Sequence, residues 1–350
     1  MINSLKLQNF RNYRLEIFEF DPSINIIVGP NGVGKTNLLE AILFLCQGTS
    51  YRAKDIDLIN YNNETFQIEI EIGNQSRSAR LSRNNLNSKQ FIINTKNLKL
   101  LTKNNRLPVI LFEPNDLVLL NESKENRRKF LDTTIAQTTT GYSKILNQYQ
   151  RTLTQRNKLL KMNAVAEQLF PWNIKLSQLA GQIIKFRLQL IDDINKNIEQ
   201  IYTTISGKKT TLKLNYLSLI PTNNYETNLL QELENNFHLD KLKGHTSLGT
   251  HRDDFELILN NHQANKTASR GETRSLVLAL KISQKYIIES TLLKKAIFLL
   301  DDVFSELDGQ RRKFLLKELK NNQTFITTTD ADMIINHLDG KYKIIPISRN

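Results

Sequence analysis

Eight residues, GPNGVGKT at Gly29–Thr36, constrain this chain more than any other stretch. They satisfy the pattern G-x-x-x-x-G-K-[ST], and the flanks supply the context that pattern requires. An apolar, strand-like run, INIIV at Ile24–Val28, leads in, and the helix-like TNLLEAILFLC leads out. Gly29, Gly32 and Gly34 permit backbone conformations that a side chain would obstruct, so amide N–H groups can converge on a phosphate. The loop Gly29, Pro30, Asn31, Gly32, Val33, Gly34 should wrap the β-phosphate of ATP. Lys35 should bridge the β and γ oxygens, and the Thr36 hydroxyl should ligate Mg2+.

A strand, a P-loop and a helix near the start commit the chain to an α/β sheet, and the rest of the sequence divides around it. SLKLQNF and YRLEIFEF alternate as strands, as do FQIEIEIGNQSRSARLS and KQFIIN between Phe66 and Asn94, with a turn at Gly73–Asn74. LPVILF, Leu107–Phe112, reads as a buried strand. From about Glu122 to Ser206 the apolar spacing turns helical, giving two or three long helices with a break expected near LFPW, Leu169–Trp172. One strand, Thr211–Ile220, and a helix through YETNLLQELENNF follow. The tail alternates again: FELILN, a helix after Gly271, AIFLLD, a helix near Gln310–Leu319, QTFITTT, a helix near Ala331–His337, and YKIIPI. The expected architecture is an ABC-type ATPase head, a P-loop NTPase with a mixed sheet and an antiparallel subdomain. Residues 1–120 and 245–350 would form this discontinuous ATPase lobe. A mainly helical second lobe, 121–244, would sit between them in sequence.

AIFLLDD, Ala296–Asp302, is an apolar strand ending in two carboxylates. Such a strand belongs in the centre of a parallel sheet, with ligands at its carboxyl end. Asp301 is then the Mg2+ partner, and Asp302 the group that orients the attacking water. TASRGETRS, Thr267–Ser275, opens a helix with a small hydroxyl residue and a glycine but without the lysine of a P-loop. It is half of a phosphate site. Walker A, signature helix, Walker B, SELD at Ser305–Asp308 and TTT at Thr327–Thr329 occur in the order of an ABC-type ATPase. In that class the signature serine and glycine, here Ser269 and Gly271, contact the γ-phosphate bound to another subunit. The pattern therefore predicts an ATP-dependent homodimer.

Charge narrows the partners. Lys plus Arg exceeds Asp plus Glu by 48 − 35 = 13 in 350 residues, which favours a polyanion such as nucleic acid. Cys46 is the single cysteine, so no intrachain disulfide framework is expected. The start MINSLKLQNFRNY lacks the run and cleavage site of a signal peptide, and no apolar run approaches the roughly 18–20 residues of a membrane span. A cytoplasmic chain with no membrane partner is the expectation.

Several blocks together resemble the RecF family of recombination-repair ATPases: LKLQNFRNY, INIIVGPNGVGKTNLLEAI, SYR at Ser50–Arg52, FEPNDLVLL…RRKFLD at Phe112–Asp132, GTHRDD at Gly249–Asp254 and LLDDVFSELD. SMC-type ATPases share the first and last blocks but carry a far longer coiled-coil insert. The resemblance implies an ATP-dependent protein that dimerises on single- and double-stranded DNA at gaps and junctions. It implies partnership with RecO and RecR in loading the recombinase, and roles in replication-fork repair and the SOS response. Two positions depart from the family pattern: Glu272 replaces the signature glutamine, and Thr250 replaces a proline. Asp302 in place of a longer glutamate predicts slow, switch-like hydrolysis, DNA-stimulated in this family.

Two other functions remain as alternatives: a transporter-type ABC subunit, which would carry a glutamate after Asp301, and an ATP-gated scaffold that binds only proteins. A nuclease-linked ATPase would need a further metal-nuclease domain. Candidate DNA contacts are Arg77, Arg80, Arg83 and Lys89 near the nucleotide, and Arg151, Arg156, Lys158 and Lys161 on the insert. Arg127–Lys129 should begin a helix. Arg11 and Arg52 are candidate nucleotide neighbours by resemblance.

Overall fold

A computed structural model describes residues 1–84, 89–120, 123–338 and 340–348. The chain forms two compact units, Met1–Leu117 with Ile288–Asn350, and Val118–Ile287. Glu122, where the helical insert was expected to begin, lies outside the described residues, as does Asn121.

In the first unit, β1 (Ile2–Phe10) and β2 (Tyr13–Glu19) form a hairpin, and β3 (Ile24–Val28) leads through the P-loop into α1 (Lys35–Gln47). Next come β4 (Thr65–Ile72), β5 (Gln75–Ser82), β6 (Gln90–Ile93), β7 (Lys96–Leu98) and β8 (Val109–Phe112). Strands β4 and β5 meet in the two-residue turn Gly73–Asn74, with Gly73 at φ +56°. The six antiparallel strands lie in the order β2-β1-β4-β5-β6-β7.

The second unit carries α2 (Lys124–Thr138), α3 (Tyr142–Lys161), α4 (Ala166–Asn195) and α5 (Ile198–Ser206), then β9 (Leu212–Leu217), α6 (Tyr225–Asn235) and α7 (Phe237–Lys243). It ends with β10 (Asp254–Leu259), β11 (His262–Gln263), α8 (Ala264–Thr267) and the first part of α9 (Arg270–Leu292). Residues 245–287, grouped with the ATPase lobe from sequence, fall in this unit because β10 pairs antiparallel with β9 over its whole length. The helical break expected at Leu169–Trp172 does not occur. Helix α4 runs through Pro171, and the chain turns instead at Met162–Val165. Pro171 deprives only the Glu167 carbonyl of a partner, and both residues are exposed near the helix start, where solvent supplies one.

The chain returns to the first unit with β12 (Ile297–Asp301), α10 (Gly309–Leu319), β13 (Thr324–Thr328), the short α11 (Asp332–Ile335) and β14 (Tyr342–Pro346). With β3 and β8 these build an all-parallel sheet in the order β14-β3-β13-β12-β8. Strands β12 and β13 are buried at every position, as central strands of a parallel sheet are. Helix α1 is buried continuously from Leu38 to Cys46 and shares one core with β1, β4, β3, β12 and β13. Apart from Glu40 this stretch is apolar on every side and has no solvent face, which holds the P-loop at the helix start against packed surroundings. Burial also pushes the Cys46 thiol up to about 12, so it is inert packing.

Candidate nucleotide site

The P-loop is held from outside as well as by its own glycines. Gly34 caps α1 at φ +114°, and a Cβ there would lie 2.6 Å from the Asn12 amide. Asn12 donates to the Val33 carbonyl at 2.8 Å, and the Tyr13 hydroxyl donates to the Gly34 carbonyl at 3.0 Å. At Gly29 a Cβ would lie 2.4 Å from the Ile347 carbonyl oxygen, where the segment after β14 passes against the loop. Pro30, Asn31 and Gly32 are exposed, whereas the Val33 side chain is buried in the core and anchors the loop. The Lys35 ammonium lies along the loop, donating to the Gly29 and Pro30 carbonyls at 2.6 and 3.0 Å.

Sheet order brings the second half of this site to the first. Strand β13 lies between β3, which feeds the P-loop, and β12, which ends in Asp301. Thr36 Oγ1 donates to Asp301 Oδ1 at 2.9 Å. Thr327, paired with Asp301 across the sheet, donates to the same oxygen at 2.7 Å, and its hydroxyl accepts the Asp302 N–H at 3.0 Å. Asp302 sits at φ +55°, a conformation that costs a non-glycine residue about 1–2 kcal/mol. Its carboxyl is raised above the ordinary range, chiefly by burial, with Asp301 and Glu306 adding to the shift and Lys35 opposing it. Asp308 caps α10 by accepting the Arg311 N–H.

A buried carboxylate that sequence reading passed over organises the flank. Glu40, within the apolar run of α1, is 0% exposed. It takes Arg11 at 2.8 and 2.9 Å and the Ser50 hydroxyl at 2.5 Å, and Ser50 in turn accepts the Arg52 and Ala53 N–H groups. Arg11 is therefore committed to Glu40 and to the Asp57 carbonyl. Arg52 is exposed. A charged residue flanked by Leu39 and Ala41 was the available signal, since an unpaired buried carboxylate is untenable.

In the second unit, Ser269 precedes α9 and remains exposed, with Gly271 in the first turn. Glu272 folds back onto this cap. Its carboxylate accepts the Ser269 N–H at 2.8 Å, and Ser269 Oγ accepts the Glu272 N–H at 3.3 Å, a reciprocal capping box. These bonds hold the Glu272 carboxyl below its usual value. The residue in the glutamine position thus serves the helix terminus.

The basic candidates separate by burial. Arg156 is fully buried, bound to Asp240, Asn173, Thr246 and the Leu233 carbonyl. Arg77 is buried with a bond to the Asn105 carbonyl. Lys89 is committed to Asp55 and the Gly48 carbonyl. Arg127 lies inside α2, which begins three residues before it at Lys124, and pairs with Asp254 through two bonds, while Arg128 reaches the Asp253 carbonyl. Arg80, Arg151, Lys158 and Lys161 stay exposed, and Arg83 is half-buried. GTHRDD is locked into the same polar network: Arg187 binds Asp132 and the Thr250 carbonyl, and Tyr216 and Tyr225 both donate to Asp253.

Among the described residues no cluster of three His, Cys, Asp or Glu side chains could hold a metal unaided. A hydroxyl and a carboxylate oxygen 2.9 Å apart at the P-loop are instead the hard oxygen donors that suit Mg2+ shared with phosphate oxygens. No helix among the described residues is long and apolar enough to cross a membrane.

The family described as RecF/RecN/SMC N terminal domain matches residues 1–348. The DNA replication and repair protein RecF of Clostridium beijerinckii is 34% identical over 355 residues, covering 99% of this chain and 96% of its own. That of Clostridium perfringens is 33% identical over 353 residues, covering 99% and 98%. Among solved structures, the recombination mediator protein RecF-ATPrS of the RecFOR pathway has a TM-score of 0.85 at 30% identity, covering 95% of this chain and 94% of that one. Its RecF-ATP counterpart has a TM-score of 0.83 at 30% identity, covering 94% and 92%. An Smc head bound to the C-winged helix domain of ScpA has a TM-score of 0.57 at 17% identity, covering 99% and 93%, a likeness of fold.

Proposed function

The chain belongs to the RecF family within the RecF/RecN/SMC group, ATP-binding repair proteins of the ABC-type ATPase fold, and we propose that it acts as an ATP-gated dimeric clamp on gapped DNA. The observation that carries this reading is the Thr36–Asp301 hydrogen bond of 2.9 Å. It joins P-loop and Walker B residues, 265 apart in sequence, into one ligand-binding end of the parallel sheet.

The residues then take these roles. Gly29–Gly34 wrap the β-phosphate of ATP, and Lys35 neutralises charge on the β and γ oxygens. Thr36 and Asp301 are the Mg2+ ligands, and charge neutralisation at the phosphates is what a divalent cation held there supplies. Asp302 orients the attacking water and accepts its proton. Its short side chain, on a backbone whose N–H is held by Thr327, favours slow hydrolysis that serves as a release switch. Ser269 and Gly271 supply the γ-phosphate contacts for ATP bound to a second copy, so ATP closes the dimer. The net charge of +13 and the exposed Arg80, Arg151, Lys158 and Lys161 fit DNA binding that weakens steeply with salt. RecR and RecO are the proposed partners in recombinase loading, by family resemblance.

Dimer fraction and affinity for gapped DNA, measured at matched ATP concentrations, test the proposal. Lys35→Arg should lose both together. Ser269→Arg should keep ATP binding but not dimerise. A parent protein whose sedimentation and DNA affinity ignore ATP would refute the clamp.

A further inference from the structure

Gly34 is the loosest point of the P-loop, and two side chains from another element hold it. Its φ of +114° favours glycine, and a glycine lets the peptide units on either side of it rotate with little steric resistance. Those two units carry the N–H groups of Gly34 and Lys35, within the stretch of amides that a P-loop turns toward phosphate. A trans peptide points its N–H away from its own carbonyl, so whatever fixes the carbonyl also fixes the amide.

Consecutive residues fix these consecutive carbonyls. Asn12 Nδ2 donates to the Val33 carbonyl at 2.8 Å, pinning the unit that bears the Gly34 N–H. The Tyr13 hydroxyl donates to the Gly34 carbonyl at 3.0 Å, pinning the unit that bears the Lys35 N–H. The Leu38 N–H shares that second carbonyl at 3.1 Å, whereas Asn12 holds the first by itself among the bonds of the described residues. Asn12 Oδ1 accepts the Asn37 amide at 2.8 Å, which ties the same side chain to the first turn of α1. The turn presenting Asn12 and Tyr13 is itself anchored. The Arg11 N–H donates to the Leu58 carbonyl at 2.8 Å, Asn60 Nδ2 donates to the Arg11 carbonyl at 2.7 Å, and buried Glu40 takes the Arg11 guanidinium.

We propose that Asn12 and Tyr13 are positioning residues for the nucleotide, holding the Gly34 and Lys35 N–H groups turned into the loop before ATP arrives. This rests on the reading of Gly29–Thr36 as the phosphate site. Neither side chain has to touch the ligand. Their effect is to remove the cost of ordering two amides from the binding step, which raises affinity for any nucleotide that carries a β-phosphate.

Two readouts on the full chain test this, for the parent, Asn12→Leu and Tyr13→Phe, at a temperature below all three melting transitions. One is displacement of a fluorescent ATP analogue by Mg·ADP and Mg·ATP. The other is the amide spectrum after selective 15N-glycine labelling, in which Gly34 is one of 13 glycines. Asn12→Leu should bind both nucleotides about fivefold more weakly. Its Gly34 signal should be exchange-broadened without ligand and sharpen on adding ADP. Tyr13→Phe should lose about twofold, because the Leu38 N–H still holds the Gly34 carbonyl. Weaker binding by Asn12→Leu with a Gly34 signal as sharp as the parent's would place the Asn12 amide on the nucleotide itself and overturn the inference. So would a broadened signal with the parent's affinity, or a lower melting temperature with both readouts unchanged, which is a structural role only. If the parent binds neither nucleotide, the nucleotide reading falls and takes this inference with it. Tight parent binding with two unaffected variants removes the positioning inference alone.

Discussion

The Thr327 hydroxyl reaches across from β13 to within 2.7 Å of Asp301 Oδ1. The Thr327 hydroxyl oxygen also accepts the Asp302 N–H, so one side chain orients the carboxylate of one aspartate and the backbone of the next. Both contacts are buried or nearly so, and Asp302 needs the restraint because its φ is positive. Thr327→Val keeps the shape and removes both bonds. It should cost about 1–3 kcal/mol in urea unfolding and lower single-turnover hydrolysis more than ATP affinity. Thr327→Ser should restore most of both. A fully active, fully stable valine variant would show that Asp302 is positioned by something else.

Glu272 and Ser269 cap α9 reciprocally, which predicts how the departure from the glutamine pattern behaves. Glutamine retains an acceptor for the Ser269 N–H, so Glu272→Gln should change unfolding free energy by less than about 0.5 kcal/mol. Glu272→Ala leaves that N–H to solvent and should cost about 0.5–2 kcal/mol. Neither should alter ATP affinity of the monomer, measured by the same fluorescent analogue. A larger loss from glutamine than from alanine would contradict the capping geometry.

The candidate nucleotide site could be proposed from sequence because its signals are local. GPNGVGKT carries its own glycines, and AIFLLDD and INIIV are apolar at nearly every position that the parallel sheet buries, Asn25 and Asp301 excepted. What sequence left open were polar residues whose partners are distant. Asn12 and Tyr13 are unremarkable in LKLQNFRNY until the hairpin of β1 and β2 brings them against the P-loop. Glu40 went unnoticed and Arg156 read as a candidate DNA contact because the ion pairs that bury them join residues 29 and 84 apart. Pro171 misled because it falls near the start of α4, where the Glu167 carbonyl it leaves without a partner is open to solvent. Each of these depends on tertiary partners that spacing along one chain does not encode.

Arg156 and Arg151, five residues apart on α3, separate a buried structural charge from an exposed one. Arg156 is fully buried, and its removal strands Asp240, a change that typically costs about 3–5 kcal/mol. Arg156→Ala should therefore unfold at much lower denaturant concentration. Arg151 is exposed, so Arg151→Ala should leave stability within about 0.5 kcal/mol and flatten the salt dependence of DNA binding by about one counterion. Equal stability of the two variants would be incompatible with the buried pair.

His251 makes the second unit acid-sensitive. Its Nδ1 lies 2.7 Å from the Tyr149 hydroxyl and its Nε2 3.2 Å from the Thr246 carbonyl, contacts that suit a neutral ring with the proton on Nε2. Burial lowers its pKa from 6.5 to about 4, with Arg252 and Arg128 adding to the shift and the Thr246 carbonyl and Asp240 opposing it. Between those two values the unfolded chain binds a proton that the folded chain does not, so stability rises with pH across the window. The contribution is full above about pH 6.5 and is lost as pH falls toward 4, amounting to at most about 3 kcal/mol. Equilibrium urea unfolding from pH 4.5 to 7.5 should show this slope in the parent and a shallower one in His251→Gln. Parallel slopes in the two proteins would assign the acid sensitivity to other groups, because a glutamine cannot take up the proton that drives it.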